Sequence, residues 1–524
     1  MTIDADYVYK GLLCCNYLPM VTEHKDELPP TIFTTEDFIP EIADEMLASS
    51  FRKRDHDQIE YRVTRYNNIT RLMHIPHPLP YARLCECIFK NWENLKYICD
   101  SKHSQIKPNI HGGGEEKDRI VIYYDYDGHP HEEYEQPEAD RVVAMEKEPF
   151  PESELRQFEL SCGARFLVDA DIASFFPTIY THAIPWALVG HEKAKANQTD
   201  KNIWYNVLDY CQRSMKRNET QGIPIGPATS NIISEVVLQE VDKALNEKGY
   251  KFVRYIDDYT CYCDTHDKAE IFLRDLEHEL AKFLLSVNIR KISITELPVL
   301  CKASWVVDLN THLSSDEYLS EQQVVNFIDY ALGLQKKHLE GSVIKYAMRA
   351  VSGRINKNNI NVYADYALTI AYYYPVVLPV VSRIIAKYTS EVKMDVMQKR
   401  LETNIKQHLA FRRSDAVCWS LYCAGLIDMP ISQEMAGNII ESKDCMAMAM
   451  LLAMNQHKDM LINYVRSLSD KTDYDVDQFW ILIHIFGDKL TDRQLVTYYN
   501  ESGLRFLADK DIRFVDPSIF ISEF

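Results

Sequence analysis

Val253-Arg254-Tyr255-Ile256-Asp257-Asp258-Tyr259-Thr260-Cys261-Tyr262-Cys263 is the stretch whose reading decides the fold. Apolar and polar residues alternate around an acidic pair, the period of two that half-buried strands show. The run reads as a β-hairpin with Asp257 and Asp258 at its tip. An isolated acidic pair of this kind is also what a polar turn looks like, so its meaning depends on what surrounds it.

Two further segments give it context. Phe166–Asp171, within Val168-Asp169-Ala170-Asp171-Ile172-Ala173-Ser174-Phe175-Phe176, reads as a short buried strand ending in a carboxylate. Gln221-Gly222-Ile223-Pro224-Ile225-Gly226-Pro227-Ala228-Thr229-Ser230 is a Gly/Pro loop that opens a helix. In that helix Ile232, Ile233, Val236, Val237, Val241 and Leu245 recur at three- and four-residue spacing, and Gly249 closes it. Ala269–Ser286 reads as a second amphipathic helix. After about residue 305 the texture becomes helical throughout. Ser320-Glu321-Gln322-Gln323 is a capping-box signature, and helical segments are expected around 343–352, 362–374, 376–388, 415–426 and 445–468. No strict period is present; an α-helical array is expected, with a HEAT-like repeat as one form it could take.

The chemistry lies in the carboxylates. If the strand ending at Asp171 neighbours the hairpin, Asp171, Asp257 and Asp258 form an oxygen-rich cage suited to hard divalent cations such as Mg²⁺. Two such ions, about 4 Å apart, activate an attacking hydroxyl and stabilise a leaving pyrophosphate. Asp169 shares the parity of Asp171 and is the reserve candidate.

The three segments resemble motifs A, B and C of reverse transcriptases, and Val287-Asn288-Ile289-Arg290-Lys291 resembles the motif that follows them. The resemblance covers a palm at roughly 160–300. It implies an α+β fold: fingers and palm, then an all-α C-terminal part. The divisions expected are 1–160 for a fingers region with an acidic insertion at 112–159, 161–300 for the palm (181–220 forming part of the fingers), and 301–524 for the helical domain. It implies RNA-directed DNA polymerase activity with two Mg²⁺ ions held by Asp171, Ile172, Asp257 and Asp258. Ile172, Phe176, Gln221, Gly222 and Lys291 would contact the dNTP. Phe176 matches the ring that excludes a ribose 2′-hydroxyl, Gln221 touches the incoming nucleotide, Gly222 lets the backbone approach, and Lys291 is a candidate proton donor to pyrophosphate. Arg65 and Arg71 would reach the triphosphate or template.

The run Pro177–Leu188, the loop Gly222–Ser230 and the N-terminal Arg65-Tyr66-Asn67-Asn68 … Arg71 … Ile75-Pro76-His77-Pro78 resemble the bacterial abortive-infection and defence-associated reverse transcriptases. The Pro-Gln-Gly of group II intron enzymes is absent from motif B, as is the Val-Thr-Gly of retron enzymes. No endonuclease or RNase H constellation follows the palm. The resemblance implies antiphage DNA synthesis primed from a tyrosine of the protein, either untemplated or copied from an associated non-coding RNA, in a trimer or hexamer. Tyr7, Tyr9 and Tyr17 are the N-terminal tyrosines considered for priming. A conventional enzyme extending a nucleic-acid primer on RNA, and a catalytically silent RNA-binding oligomer, remain the alternatives.

Composition sets the outer limits. The 524 residues are 46% hydrophobic and 26% charged, as in folded globular chains. The formal charge of −19 argues against a protein that coats nucleic acid by bulk charge, though not against a local basic groove. Residues 115–159 carry 15 acids and 5 bases, more than half of the excess, and read as a solvated surface insertion. Residues 50–75 run the other way, with Arg52, Lys53, Arg54, Arg62, Arg65 and Arg71 among Tyr61 and Tyr66, a mixture suited to phosphate contact and base stacking. Thirteen scattered cysteines fit a reducing cytosol rather than a disulfide framework, and the acidic N-terminus is unlike a signal peptide. No apolar run reaches membrane-spanning length, so no membrane partner and a cytoplasmic location are expected; that the cell is bacterial is what the resemblance implies. Cys85, Cys87, Cys99, His103 and His111 lack zinc-knuckle spacing, and Met446, Met450 and Met454 fit a packed helix face better than a metal site.

Overall fold

The computed structural model describes residues 3–18, 29–51, 54–65, 67–109, 120–124, 130–134, 142–143, 152–299, 303–339 and 341–520. Strands β1 (Ile59–Thr64) and β2 (Thr70–Ile75) form an N-terminal hairpin in which Ile59 faces Ile75. Strands β3 (Ile120–Tyr124) and β4 (Pro130–Tyr134) pair antiparallel. The first of these is the strand expected inside the acidic stretch; most of the rest of that stretch lies outside the described residues.

The central sheet is built from β5 (Phe166–Asp171), β6 (Lys251–Tyr255), β7 (Asp258–Cys263) and β8 (Ser293–Glu296), in the order β6-β7-β5-β8 and antiparallel throughout. The strand carrying Asp171 therefore lies beside the hairpin carrying Asp257 and Asp258. Val168 and Ala170 turn into the core from β5, and the alternation that buries them leaves Asp169 and Asp171 on the other face. The helix Ala228–Glu247 starts after Pro227 and buries all six of the apolar positions that its spacing singled out. The second amphipathic helix runs His266–Ala281, shorter at its C-terminus than expected, and Leu284 beyond it takes a left-handed φ of 61°.

Beyond the sheet the chain is helical from Ser304–His312 to Leu504–Asp509. The capping box at Ser320 is formed in both directions with Gln323. The segment expected as one helix over 445–468 is two, Cys445–Ala453 and Lys458–Arg466. Asn455 and His457 both adopt left-handed φ between them (59° and 54°), and apolar periodicity continuing on either side hides that break. Met446 and Met450 are fully buried core residues.

The helical array folds back onto the N-terminal part. Phe33 bridges Val515, and Phe514 packs edge-on against Tyr17, Phe38 and Trp480. Asp415 accepts from the Thr64 amide at 2.7 Å and its hydroxyl at 2.8 Å, which fixes the end of β1. Asp477, fully buried, accepts from both terminal nitrogens of Arg54 (2.6 and 3.2 Å), the Asp57 amide (2.9 Å) and the Tyr498 hydroxyl (2.7 Å), and pairs with His56 Nδ1 at 2.9 Å. Burial pushes the His56 and His77 imidazoles well below their usual range, and their rings stack at 4.0 Å. His56 is thus neutral and donates from Nδ1.

Removing Asp477 strips five donors of one acceptor. The Asp477→Ala variant is expected to lose about 3–5 kcal/mol of stability, read as a shift in the urea midpoint; a loss within ~0.5 kcal/mol would show that the contact contributes nothing.

Candidate active site

Register brings the acids together. In the β5–β7 ladder Asp171 lies opposite Asp258, and the two-residue turn Ile256-Asp257 places Asp257 beside them. Carboxylate oxygens of Asp171, Asp257 and Asp258 lie within 4.8 Å of one another. The turn needs a left-handed first residue; here it is Ile256, with φ 57°, a β-branched side chain in a region that disfavours one. Its shape is held from outside: the Ile172 amide donates to the Asp257 carbonyl at 3.1 Å.

Asp171 is held most firmly. Asn288 Nδ2 donates to Oδ2 at 2.9 Å, Lys291 Nζ to Oδ1 at 2.8 Å, and the Asn288 amide to the Asp171 carbonyl at 2.7 Å. Lys291 thus stands on the carboxylate cluster, where its hydrogen bond to Asp171 and the nearby charges outweigh burial and raise its pKa. Asn288 belongs to the same motif as Lys291, and its contact with Asp171 depends on the bridge Ile172–Val287, which sequence spacing does not reveal. That bridge is closed through the Ala173 and Asn288 amides, so neither of its bonds uses the Ile172 carbonyl. With the Ile172 side chain buried, this carbonyl is the group through which Ile172 could meet a cation. Asp169, the reserve candidate, accepts from Thr260 Oγ1 at 3.0 Å and is not part of the cluster.

The residues expected to meet a nucleotide form a second group. Phe175 is buried, while Phe176, 5.1 Å away ring to ring, packs against the core with one part still exposed. The Phe176 carbonyl accepts from the Ile223 amide at 3.0 Å, and Gly222 donates to Ile179 at 2.8 Å, stitching the Gly/Pro loop to this segment. Gly222 has φ 82°, and a Cβ there would stand 2.7 Å from the Pro177 carbonyl oxygen; only glycine fits. Gln221 is exposed, with Nε2 donating to the Thr178 carbonyl at 3.1 Å. Lys216, unremarked in the sequence, donates from Nζ to the Gln221 carbonyl at 2.6 Å. Arg65, at the end of β1, is close enough for its charge to act on Asp257; Arg71 is exposed on β2 opposite Val63. Two of the tyrosines considered for priming are corrected by their packing. Tyr9 is buried with its hydroxyl on Asp44 at 2.8 Å, and Tyr17 is buried with its hydroxyl on the Pro76 carbonyl at 2.5 Å.

The cluster fits a hard cation. All its donors are oxygens, and its three carboxylates face a single bound lysine. Burial, then the charge of Asp171, pushes Asp257 up to about 6. Desolvation on its inner side, then the hydrogen bond with Asp171 and the charges of Asp257 and Asp171, pushes Asp258 up to about 7, though its outer edge is open to solvent. In both, burial and the neighbouring carboxylates disfavour the negative form, a penalty that a bound cation would offset. When bound, a divalent cation here would supply charge neutralisation and Lewis acidity toward a phosphoryl group.

The folded carboxyls keep protons that the unfolded chain loses near pH 4, so without metal their ionisation costs nothing below about pH 4 and its full amount above about pH 7. Mg²⁺ is therefore expected to raise the melting temperature more at pH 8 than at pH 5, and Asp258→Asn to reduce that difference. An equal Mg²⁺ effect at both pH values would contradict this electrostatic account.

Residues 124–330 match the reverse transcriptase (RNA-dependent DNA polymerase) family. No curated protein matches the chain. Among solved structures, apo telomerase from Candida tropicalis aligns over 82% of this chain and 73% of its own at 10% identity, with a TM-score of 0.30; likeness at that level says nothing of substrate or partner. The family match spans the carboxylate cluster and the Gly/Pro loop, and on it the chain carries a reverse transcriptase domain, the domain of RNA-directed DNA polymerases.

Proposed function

We propose that the chain is an antiphage DNA polymerase of the reverse-transcriptase type that adds dNTPs to a tyrosine of the protein itself, untemplated or copying an associated non-coding RNA. One observation carries the polymerase part: the carboxylates of Asp171, Asp257 and Asp258 converge at the end of β5 and the β6–β7 turn, and a loop that only glycine fits is hydrogen-bonded to the segment following Asp171. The defence and priming parts are supported by the resemblance of 65–78, 177–188 and 222–230 to the defence-associated enzymes.

In this reading 1–160 and 181–220 act as fingers, the rest of 161–300 as palm, and 301–524 as the helical domain that follows. Asp171, Asp257, Asp258 and the Ile172 carbonyl hold the Mg²⁺ ions, two in number. The hydroxyl of a primer or of the tyrosine gives its proton to solvent water and attacks the α-phosphate of the dNTP; the new P–O bond forms as the bond to pyrophosphate breaks, and pyrophosphate leaves. Lys291, already charged and at the cluster, supplies a proton to the departing pyrophosphate. Phe176 closes the space beside C2′, Gln221 and Gly222 line the nucleotide, and Arg65 and Arg71 neutralise triphosphate or template. The active form is a trimer or hexamer in the bacterial cytoplasm. Among the described residues no helix is long and apolar enough to cross a membrane.

Three outcomes are expected. Nuclease-treated protein given Mg²⁺ and one labelled dNTP at a time should carry label that migrates with it on a denaturing gel, and Asp257→Asn should carry none. Label found only on an added primer annealed to RNA would replace this reading with the conventional one, and full phage protection by Asp257→Asn would make catalysis irrelevant. Phe176→Ala should accept ribonucleotides with little loss of dNTP use; unchanged discrimination would remove Phe176 from the site. Gly222→Ala should lower incorporation by more than tenfold, about 1.4 kcal/mol or more in the barrier, and should also lower the melting temperature, since a left-handed alanine crowded against the Pro177 carbonyl costs about 1–3 kcal/mol; unchanged incorporation by the folded variant would remove the loop from the site.

A further inference from the structure

Arg254 is fully buried, with no exposed surface, and lies three residues before Asp257. Its guanidinium uses every face. Nε donates to both oxygens of Asp242 (3.1 and 3.0 Å), Nη2 to Asp242 Oδ2 (2.7 Å) and Glu235 Oε2 (3.0 Å), and Nη1 to Glu235 Oε1 (2.9 Å). The remaining bond runs from Nη1 to the carbonyl of Ile256 at 2.9 Å. Ile256 is the left-handed β-branched residue of the turn that presents Asp257.

Glu235 and Asp242 are seven residues apart, two turns along the helix Ala228–Glu247, so both point the same way. Each is locked by a further donor: Ser104 Oγ to Glu235 at 3.0 Å and the Tyr259 hydroxyl to Asp242 at 2.9 Å. The Arg254 backbone is pinned as well, its amide donating to His103 and its carbonyl accepting from Gln105. A planar fork fixed on two carboxylates therefore ends on one carbonyl of a strained turn. A left-handed β-branched residue costs of order 1–3 kcal/mol and persists only where its surroundings over-determine it.

We infer that Arg254 is a positioning residue for the metal centre: it holds the Ile256 carbonyl, and through it the angle at which Asp257 meets Asp171 and Asp258. This rests on the reading of the cluster as a cation site. Helix Ala228–Glu247 becomes the rigid base against which the acidic turn is set. A lysine at 254 has the charge but a single nitrogen, which cannot span Glu235, Asp242 and the Ile256 carbonyl together.

The test uses Mn²⁺ binding by the full-length protein, read by electron paramagnetic resonance, beside the kinetics of dNTP incorporation. Arg254→Lys is expected to weaken Mn²⁺ binding and lower kcat by about 10–100-fold, the usual scale for a residue supporting metal ligands, with KM for dNTP unchanged. Adding Ile256→Gly, which adopts the turn without support, should restore much of the Mn²⁺ affinity. Tyr259→Phe, which removes a bond to Asp242 and none to the turn, should bind Mn²⁺ as wild type does. If Arg254→Lys does not fold, Glu235→Gln should show the same loss in milder form. Wild-type Mn²⁺ affinity in a folded Arg254→Lys or Glu235→Gln protein overturns the inference while leaving the cation site standing. A wild-type protein that binds no Mn²⁺ while Asp257→Asn is equally silent overturns the cation reading itself, and the inference with it.

Discussion

Asp171 and Asp258 face each other across a strand ladder, and that opposition governs the rest of the molecule. Like charges directly opposite destabilise an antiparallel pair, and Asp257 adds a third within 4.8 Å. The backbone register allows no escape, since slipping β5 by one residue would turn Val168 and Ala170 out of the core. The strain is met by donors to Asp171 from Asn288 and Lys291 and by the upward shift of Asp257 and Asp258. A site kept in this condition is one that gains by taking up a cation.

The remainder of the fold supports that arrangement from behind and from the side. The helix Ala228–Glu247 anchors the acidic turn through a buried Arg254, and the Gly/Pro loop leading into that helix is hydrogen-bonded to the Phe176–Ile179 segment that follows Asp171. The N-terminal hairpin sends Arg65 toward Asp257, yet the hairpin is itself held by Asp415 from the helical array, more than 300 residues along the chain. The array so ties the hairpin to the remainder of the chain, and Asp477 repeats the device with Arg54 and His56.

Much of this was legible in the sequence where the signal is local. The hairpin around Asp257-Asp258, the strand Phe166–Asp171, the helix after Pro227 and the capping box at Ser320 all follow from periods and caps within a few residues. What was hidden depends on distance in the chain. Arg254 looked like one polar position in an alternating strand, because its partners Glu235 and Asp242 lie on a helix whose apolar spacing drew attention to other residues. Tyr9 and Tyr17 looked like any N-terminal tyrosines until packing buried them. The break at Asn455 and His457 carries no glycine or proline, so the apolar pattern runs through it.

The central claim is that Asp171, Asp257 and Asp258 together perform nucleotidyl transfer. Pyrophosphate release from dNTPs tests it without presupposing a template or primer, provided it is followed with and without added RNA and primer. The account predicts release by the wild-type protein that requires a divalent cation and vanishes in an Asp171→Asn variant of unchanged circular dichroism. Equal release by the folded variant, or release undiminished by chelator, would contradict it.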